Sequence, residues 1–224
     1  EWDWTSTLAA GAWASGGNVN TTRKYTAGIG IQTAALMACG GPDAGNQKTV
    51  ESYDGSSWTE ITDTNLARWG PGAAGTQTAG LVFGGLTAPA TTETETESWD
   101  GSSWTELNDL NTGRAYVGSD GTQTAAWLAG GGNLPGDPAY TDVHEQWNGT
   151  SWSEAADLNN NRAFLAGFGT STAALVAGDY PAGGNTETWN GTAWTEVNDL
   201  NTARYNVYGA GIQTAGLVFG GLIG

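Results

Sequence analysis

The sequence predicts an all-β chain made of a repeated four-stranded unit. Three observations carry this expectation. Three residue markers share one step pattern, each copy divides into four strand-like pieces, and the composition favours Thr, Val, Trp, Tyr and Gly with no helix-favouring run. The first marker, Trp13, Trp58, Trp104, Trp152 and Trp194, advances by 45, 46, 48 and 42 residues. Arg23, Arg68, Arg114, Arg162 and Arg204 repeat those steps, and so do Thr33, Thr78, Thr124, Thr172 and Thr214.

One copy reads A-R-W-G-P-G-A-A-G-T-Q-T-A-G-L-V-F-G-G from Ala67 to Gly85. It continues as T-E-S-W-D-G-S-S-W-T-E-L-N-D-L-N from Thr96 to Asn111. The first piece follows the Arg and is rich in Gly. The second, T-A-G-L-V-F, is apolar throughout and suits a strand buried on both faces. The third ends in E-x-Trp or E-x-Tyr, and the fourth is W-T-E-hydrophobic. Between them stand Asp54-Gly55, Asp100-Gly101, Asn148-Gly149 and Asn190-Gly191, which predict two-residue type I′ hairpins with positive φ at both central residues. Four strands per repeat of roughly 45 residues predict the blades of a β-propeller. The blades fall near 23–65, 68–111, 114–159 and 162–201, with 204–224 plus 1–20 as the fifth, so one domain spans 1–224.

A glycine pair ending the second strand (Gly84-Gly85, Gly130-Gly131, Gly220-Gly221), then an aromatic (Tyr53, Trp99, Trp147, Trp189), a Trp and an Arg resemble the kelch repeat. The resemblance covers nearly the whole chain. Two departures stand out: the aromatic-to-Trp spacing is shorter, and Cys39-Gly40 and Gly178-Asp179 replace the glycine pair in two copies. Kelch propellers more often have six or seven blades; the copies here supply five, unless the chain was cut from a longer array, with the last blade shared between the termini, closing the ring and hiding strand edges. In the N-terminal half-blade, Leu8 takes the E-x-Trp position and Ala9-Ala10 replace Asp-Gly, while Trp2 and Trp4 have no counterpart and are expected to cover the seam or to contact whatever preceded Glu1. The repeat text is similar to kelch-type propellers of marine bacteriophages and environmental bacteria, which implies a virion or cell-surface setting.

Composition excludes several roles. The formal net charge of -16 opposes binding to nucleic acid and to anionic membranes, and no stretch reaches the length of a transmembrane helix. No signal peptide is read, and a start at Glu1 rather than Met suggests a processed form or an excised domain. Cys39 is the single cysteine and His144 the single histidine, so no internal disulfide, zinc site or copper-radical site is expected. His144 stands where other copies have Val50, Thr96 and Thr186, a strand position ill suited to a Ser-His-Asp triad. Without a dense D-x-D-x-D-G loop, calcium is not expected either. The expectation is therefore no catalytic residue, no metal and no cofactor.

Recurrence separates scaffold from site. The five Arg are read as structural, bonding strand-end carbonyls or carboxylates such as Glu60, Glu106, Glu154 and Glu196. Asn20, Asn65, Asn111, Asn159 and Asn201 are read as turn formers. All length variation falls between the second and third strands, where Pro42, Pro89, Pro135, Pro138 and Pro181 also lie. These connections share one face with the fourth-to-first connections, whose residues after each Arg also diverge: Lys24-Tyr25, Trp69-Gly70, Ala115-Tyr116, Ala163-Phe164 and Tyr205-Asn206. Diverged loops on a repeated scaffold are where binding concentrates. The candidate ligand-binding residues are Lys24, Tyr25, Trp69, Tyr116, Asp137, Tyr140, Asp179, Tyr180 and Tyr205. The expected role is a non-catalytic recognition domain for a glycan or host-surface protein. The alternatives are an assembly module contacting other virion proteins, and a glycan hydrolase with two carboxylates facing each other across the channel mouth.

Overall fold

The structure is a computed structural model that describes residues 13–41, 47–132, 140–180 and 183–223. It is all-β. The first sheet holds β1 (Ala27–Ile31), β2 (Ala34–Ala38), β3 (Val50–Tyr53) and β4 (Trp58–Ile61) in that order. The second begins with β5 (Gly72–Thr76) and β6 (Ala79–Phe83). After a small hairpin of β7 (Leu86–Thr87) and β8 (Thr91–Thr92), it is completed by β9 (Thr96–Trp99) and β10 (Trp104–Glu106). The third contains β11 (Gly118–Thr122), β12 (Ala125–Ala129), β13 (His144–Trp147) and β14 (Trp152–Glu154). The fourth contains β15 (Ala166–Thr170), β16 (Ala173–Asp179), β17 (Gly183–Trp189) and β18 (Trp194–Glu196). All pairings are antiparallel, and β19 (Tyr205–Ile212) pairs with β20 (Ala215–Leu222) as a two-stranded sheet.

The sheets pack in series through their first strands, β1 on β5, β5 on β11, β11 on β15 and β15 on β19, an arrangement compatible with a propeller. Between sheets the core is aromatic on aliphatic. Trp99 and Trp104 join Leu36 and Ala38 of the preceding sheet, Trp147 and Trp152 join Leu81 and Phe83, and Trp189 and Trp194 join Trp127 and Ala129. Each buried indole removes about 150–250 Å² from water, which makes these contacts the largest favourable term.

The recurrent Arg lies at the centre of a buried polar unit. Arg68 pairs with Glu97 and donates to the carbonyls of Gly84 and Glu95. Glu97 also accepts from the backbone N–H groups of Asn65 and Leu66, while the Asn65 side chain donates to the Trp104 carbonyl. Arg23–Glu51 (2.7 Å), Arg114–Glu145 (2.9 Å) and Arg162–Glu187 repeat the pair. The expectation that Glu60, Glu106, Glu154 and Glu196 are the carboxylate partners is corrected, since all four are exposed on the outer strands. The Glu of E-x-Trp points inward because its strand is covered on both faces.

The Asp-Gly and Asn-Gly turns also differ from expectation. Pairing of Tyr53 with Trp58, Trp99 with Trp104, Trp147 with Trp152 and Trp189 with Trp194 leaves four-residue loops. Only the glycine of each has positive φ, as in Gly55 (95°) and Gly101 (97°). The Asp54 carboxylate instead accepts from the N–H of Ser56 (2.9 Å) and Ser57 (2.8 Å), an Asx turn that needs no left-handed Asp. The two-residue turns lie in the first hairpin, where Gln77-Thr78 and Gln123-Thr124 separate paired strands.

Residues 1–12 lie outside the described residues, and with them Trp2, Trp4, Leu8 and Ala9-Ala10. Residues 13–20 carry no strand, and Trp13 lies against Phe219 with ring centroids 5.5 Å apart.

Candidate functional site

Between each recurrent Arg and its inner strand the backbone makes a left-handed bend two residues past the Arg. The residues there are Tyr25 (φ 56°), Gly70 (64°), Tyr116 (58°), Phe164 (61°) and Asn206 (58°). They are linked from sheet to sheet. Gly70 N–H donates to Tyr25 C=O (2.8 Å), Tyr116 to Gly70 (2.8 Å), Phe164 to Tyr116 (2.9 Å) and Asn206 to Phe164 (2.8 Å). A non-glycine residue in this conformation carries about 1–3 kcal/mol of strain that glycine would relieve. Aromatic side chains nevertheless occupy three of the five positions.

Those rings continue into an aromatic arc. Tyr116 stacks on Phe164 at 4.1 Å and meets Tyr25 edge-on at 5.4 Å. Phe164 meets Tyr180 at 6.0 Å, and Tyr180 meets both Tyr140 (5.8 Å) and Tyr205 (4.9 Å). Trp69 joins through its indole N–H, which donates to Tyr116 Oη at 2.8 Å. Burial pushes the Tyr116 hydroxyl up to about 12, so this phenol is neutral at pH 7. Tyr116 and Phe164 are buried beneath it, whereas Tyr25, Trp69, Tyr140, Tyr180 and Tyr205 are half-buried and present ring surface.

Six of the nine sequence candidates therefore converge: Tyr25, Trp69, Tyr116, Tyr140, Tyr180 and Tyr205. Lys24 is exposed beside them, its Nζ 5.5 Å from the Tyr25 ring centroid. Asp179 is half-buried and accepts from the Asn185 amide at 2.9 Å, and desolvation raises its carboxyl pKa. Asp137 lies outside the described residues, as do Asp43 and the prolines at 42, 135, 138 and 181.

The sequence reading omitted Phe164 and Asn206 from the site. Their signal was available, because both stand two residues past a recurrent Arg, in register with Tyr25 and Tyr116. It also missed a cavity of about 880 Å³ to which all five first strands contribute. Tyr25, Tyr116, Phe164 and Asn206 reach its wall from the arc, and Tyr53, Trp58, Tyr208 and Phe219 line it between the first sheet and β19–β20. None of its described lining residues is charged. Among the described residues, no three of His, Cys, Asp and Glu are grouped to hold a metal ion.

No family model and no curated protein matches this chain.

Proposed function

We propose that the chain is a five-bladed kelch-like propeller serving as a non-catalytic recognition domain, with β19 and β20 as the inner half of a blade completed by residues 1–20. It binds a glycan or a host-surface protein from the exterior of a virion or cell. The observation that carries the binding reading is the aromatic arc. Strained left-handed positions where glycine suffices, as Gly70 does, instead carry rings that meet half-exposed Tyr140, Tyr180 and Tyr205 at one end of the inner strands. Amphipathic rings of this kind recognise sugars and protein surfaces alike through large area and low side-chain entropy. The formal charge of -16 directs the domain away from nucleic acid and anionic lipid.

A glycan array with the isolated domain tests the reading, alongside a Tyr180→Ala, Tyr205→Ala variant. Both side chains are half-buried at the rim of the arc, so their removal leaves the intersheet cores intact. Binding that the variant loses supports recognition by this face. Binding unchanged in the variant removes the arc from the site.

One observation favours the assembly alternative. Ile212 and Leu217 are 59% and 52% exposed on one face of the terminal sheet, apolar surface suited to a neighbouring subunit. A concentration-dependent mass in light scattering, abolished by Leu217→Lys, would favour that reading. A hydrolase requires two carboxylates facing each other across the channel mouth, and none of the described cavity-lining residues is a carboxylate.

A further inference from the structure

The four-residue hairpin turns are one device written with two residues. Asp54 and Asp100 open the turns of the first and second sheets, and Asn148 and Asn190 open those of the third and fourth. The side-chain oxygen has the same partners in each. Asp100 Oδ1 accepts from the N–H groups of Ser102 and Ser103 at 2.8 Å. Asn148 Oδ1 accepts from Thr150 and Ser151 N–H at 2.9 Å, and Asn190 Oδ1 from Thr192 and Ala193 N–H at 2.9 Å. Asn190 Oδ1 has a third donor, the Thr192 hydroxyl at 2.8 Å, and among the described residues the Thr150 hydroxyl makes no such bond to Asn148.

Each of these two Asn residues is followed by glycine, and nowhere else in the chain does Asn precede Gly. Both pairs are exposed. The Gly149 and Gly191 N–H groups have no acceptor among the described residues, so solvent base can take their protons. A Cβ at either glycine would find no atom closer than 3.4 Å, so nothing crowds the approach to the nitrogen. The Asx turn adds position. The ring it closes, from Asn Oδ1 to the second N–H beyond it, contains both the Asn Cγ and the glycine nitrogen. A nucleophile and an electrophile are thus members of one hydrogen-bonded ring.

We propose that Asn148 and Asn190 are self-deamidating sites, at which the folded turn converts Asn-Gly into the Asp-Gly of the other two sheets. The deprotonated Gly149 nitrogen attacks Asn148 Cγ. The N–Cγ bond forms as the carbonyl π pair moves onto Oδ1, and the N–H donors of Thr150 and Ser151 hold the oxyanion. The intermediate collapses, the bond from Cγ to the side-chain nitrogen breaks, and ammonia leaves with a proton from water. Water then opens the cyclic imide at Cγ, giving aspartate. Each site consumes a water and releases an ammonia, with no change of oxidation state. Opening at the backbone carbonyl gives isoaspartate, which lengthens the main chain by a methylene and takes the carboxylate away from the turn's donors. The aspartate product has its counterpart in the second sheet. There the Ser103 N–H, followed by the Ser102 hydroxyl, holds the Asp100 carboxyl down to about 2. Ring closure needs the neutral acid, so an aspartate kept ionised in this way persists. The inference stands apart from the recognition reading, because the turns lie at the other end of the strands from the arc. Gly191 is beside Thr172, and Tyr180 follows the far end of β16.

The test is peptide mass spectrometry of the folded chain held at mildly alkaline pH, beside the same chain unfolded in urea and a Thr192→Val variant. Electron-transfer fragmentation tells aspartate from isoaspartate. Thr192 is exposed, so its replacement leaves the intersheet cores intact, and a cooperative thermal transition confirms the fold of each sample. The expected result is conversion of Asn148 and Asn190 in the folded chain, mainly to aspartate. Asn65, Asn111 and Asn159, which bond the buried glutamates through their backbone N–H groups, stay intact. Asn190, with three donors on its oxygen, converts faster than Asn148. Thr192→Val slows Asn190 about two- to tenfold, the worth of one hydrogen bond to the oxyanion, and leaves Asn148 unchanged. Conversion in urea but not in the folded chain means that the turn protects its Asn, and it overturns the proposal. An Asn190 rate that is unchanged or faster in Thr192→Val overturns the part given to the donors. A folded product that is mainly isoaspartate overturns the selection of aspartate by the turn.

Discussion

At the residue scale, His144 shows how a side chain can be odd in sequence and ordinary in role. In the second and third sheets the Trp152 indole donates to Thr96 Oγ1 at 2.9 Å, and the corresponding Trp194 indole donates to His144 Nδ1 at 3.2 Å. The imidazole thus replaces a threonine hydroxyl as acceptor. Nδ1 also lies 3.3 Å from the Ala156 carbonyl, and Nε2 has no partner among the described residues. Desolvation dominates the titration and lowers the His144 pKa to about 4, with Arg114 adding to the shift while the Ala156 carbonyl and Asp157 oppose it. The folded pKa is below the unfolded value near 6.5, so the unfolded chain binds the proton first. Stability from this group is full above about pH 6.5 and falls as the pH drops towards 4, by up to about 3 kcal/mol. Urea unfolding at pH 7 and pH 4.5 should therefore show a loss in the wild type that exceeds that of His144→Thr. Equal losses would remove the buried neutral imidazole from the account. The tolerated position was legible from Val50, Thr96 and Thr186, but the acceptor role was not, because its donor comes from another repeat fifty residues away.

At the element scale, the chain's recurrent Arg, Glu and Asn form one device that fixes each fourth-to-first connection onto the following sheet. Removing one member of a buried ion pair leaves the other charged and without compensation, at a cost of about 3–5 kcal/mol. Arg68→Met should lose that much in chemical denaturation, and Arg68→Met with Glu97→Met should recover most of it. A double variant as unstable as the single would show that the packing of the Arg stem matters more than the charge. Arg204 makes the contrasting case. Among the described residues it bonds the Gly220 carbonyl (2.8 Å) and no carboxylate, so Arg204→Met should cost under about 1 kcal/mol. Spacing made the Arg legible as structural, yet four copies carry a glutamate on both the third and the fourth strand, and only the sheet's covered faces select between them. The turns show the same division. Asp54-Gly55 was legible as a turn from local chemistry, whereas its four-residue length depends on where Tyr53 and Trp58 pair.

At the scale of the whole molecule, period and strand count were legible because four copies, each a four-stranded sheet, write them out in full. Tyr140, Tyr180 and Tyr205 were legible as candidates because they interrupt a regular scaffold. Tyr53, Trp58 and Phe219 were not, because they occupy the ordinary aromatic and apolar positions of the repeat and are half-buried there. The bonds that tie one sheet to the next can be measured one by one through amide exchange. The N–H groups of Gly70, Tyr116, Phe164 and Asn206 are each held by the preceding sheet, whereas the Tyr25 N–H has no such acceptor among the described residues. Exchange through local opening follows the free energy of that opening. The four bonded amides should exchange slowly, the Tyr25 amide orders of magnitude faster, and the amides of two-stranded β19–β20 faster than those of β16 within its four-stranded sheet. A Tyr25 amide as protected as the other four would mean that Asn206 reaches it in solution and that the series of bonds closes into a ring.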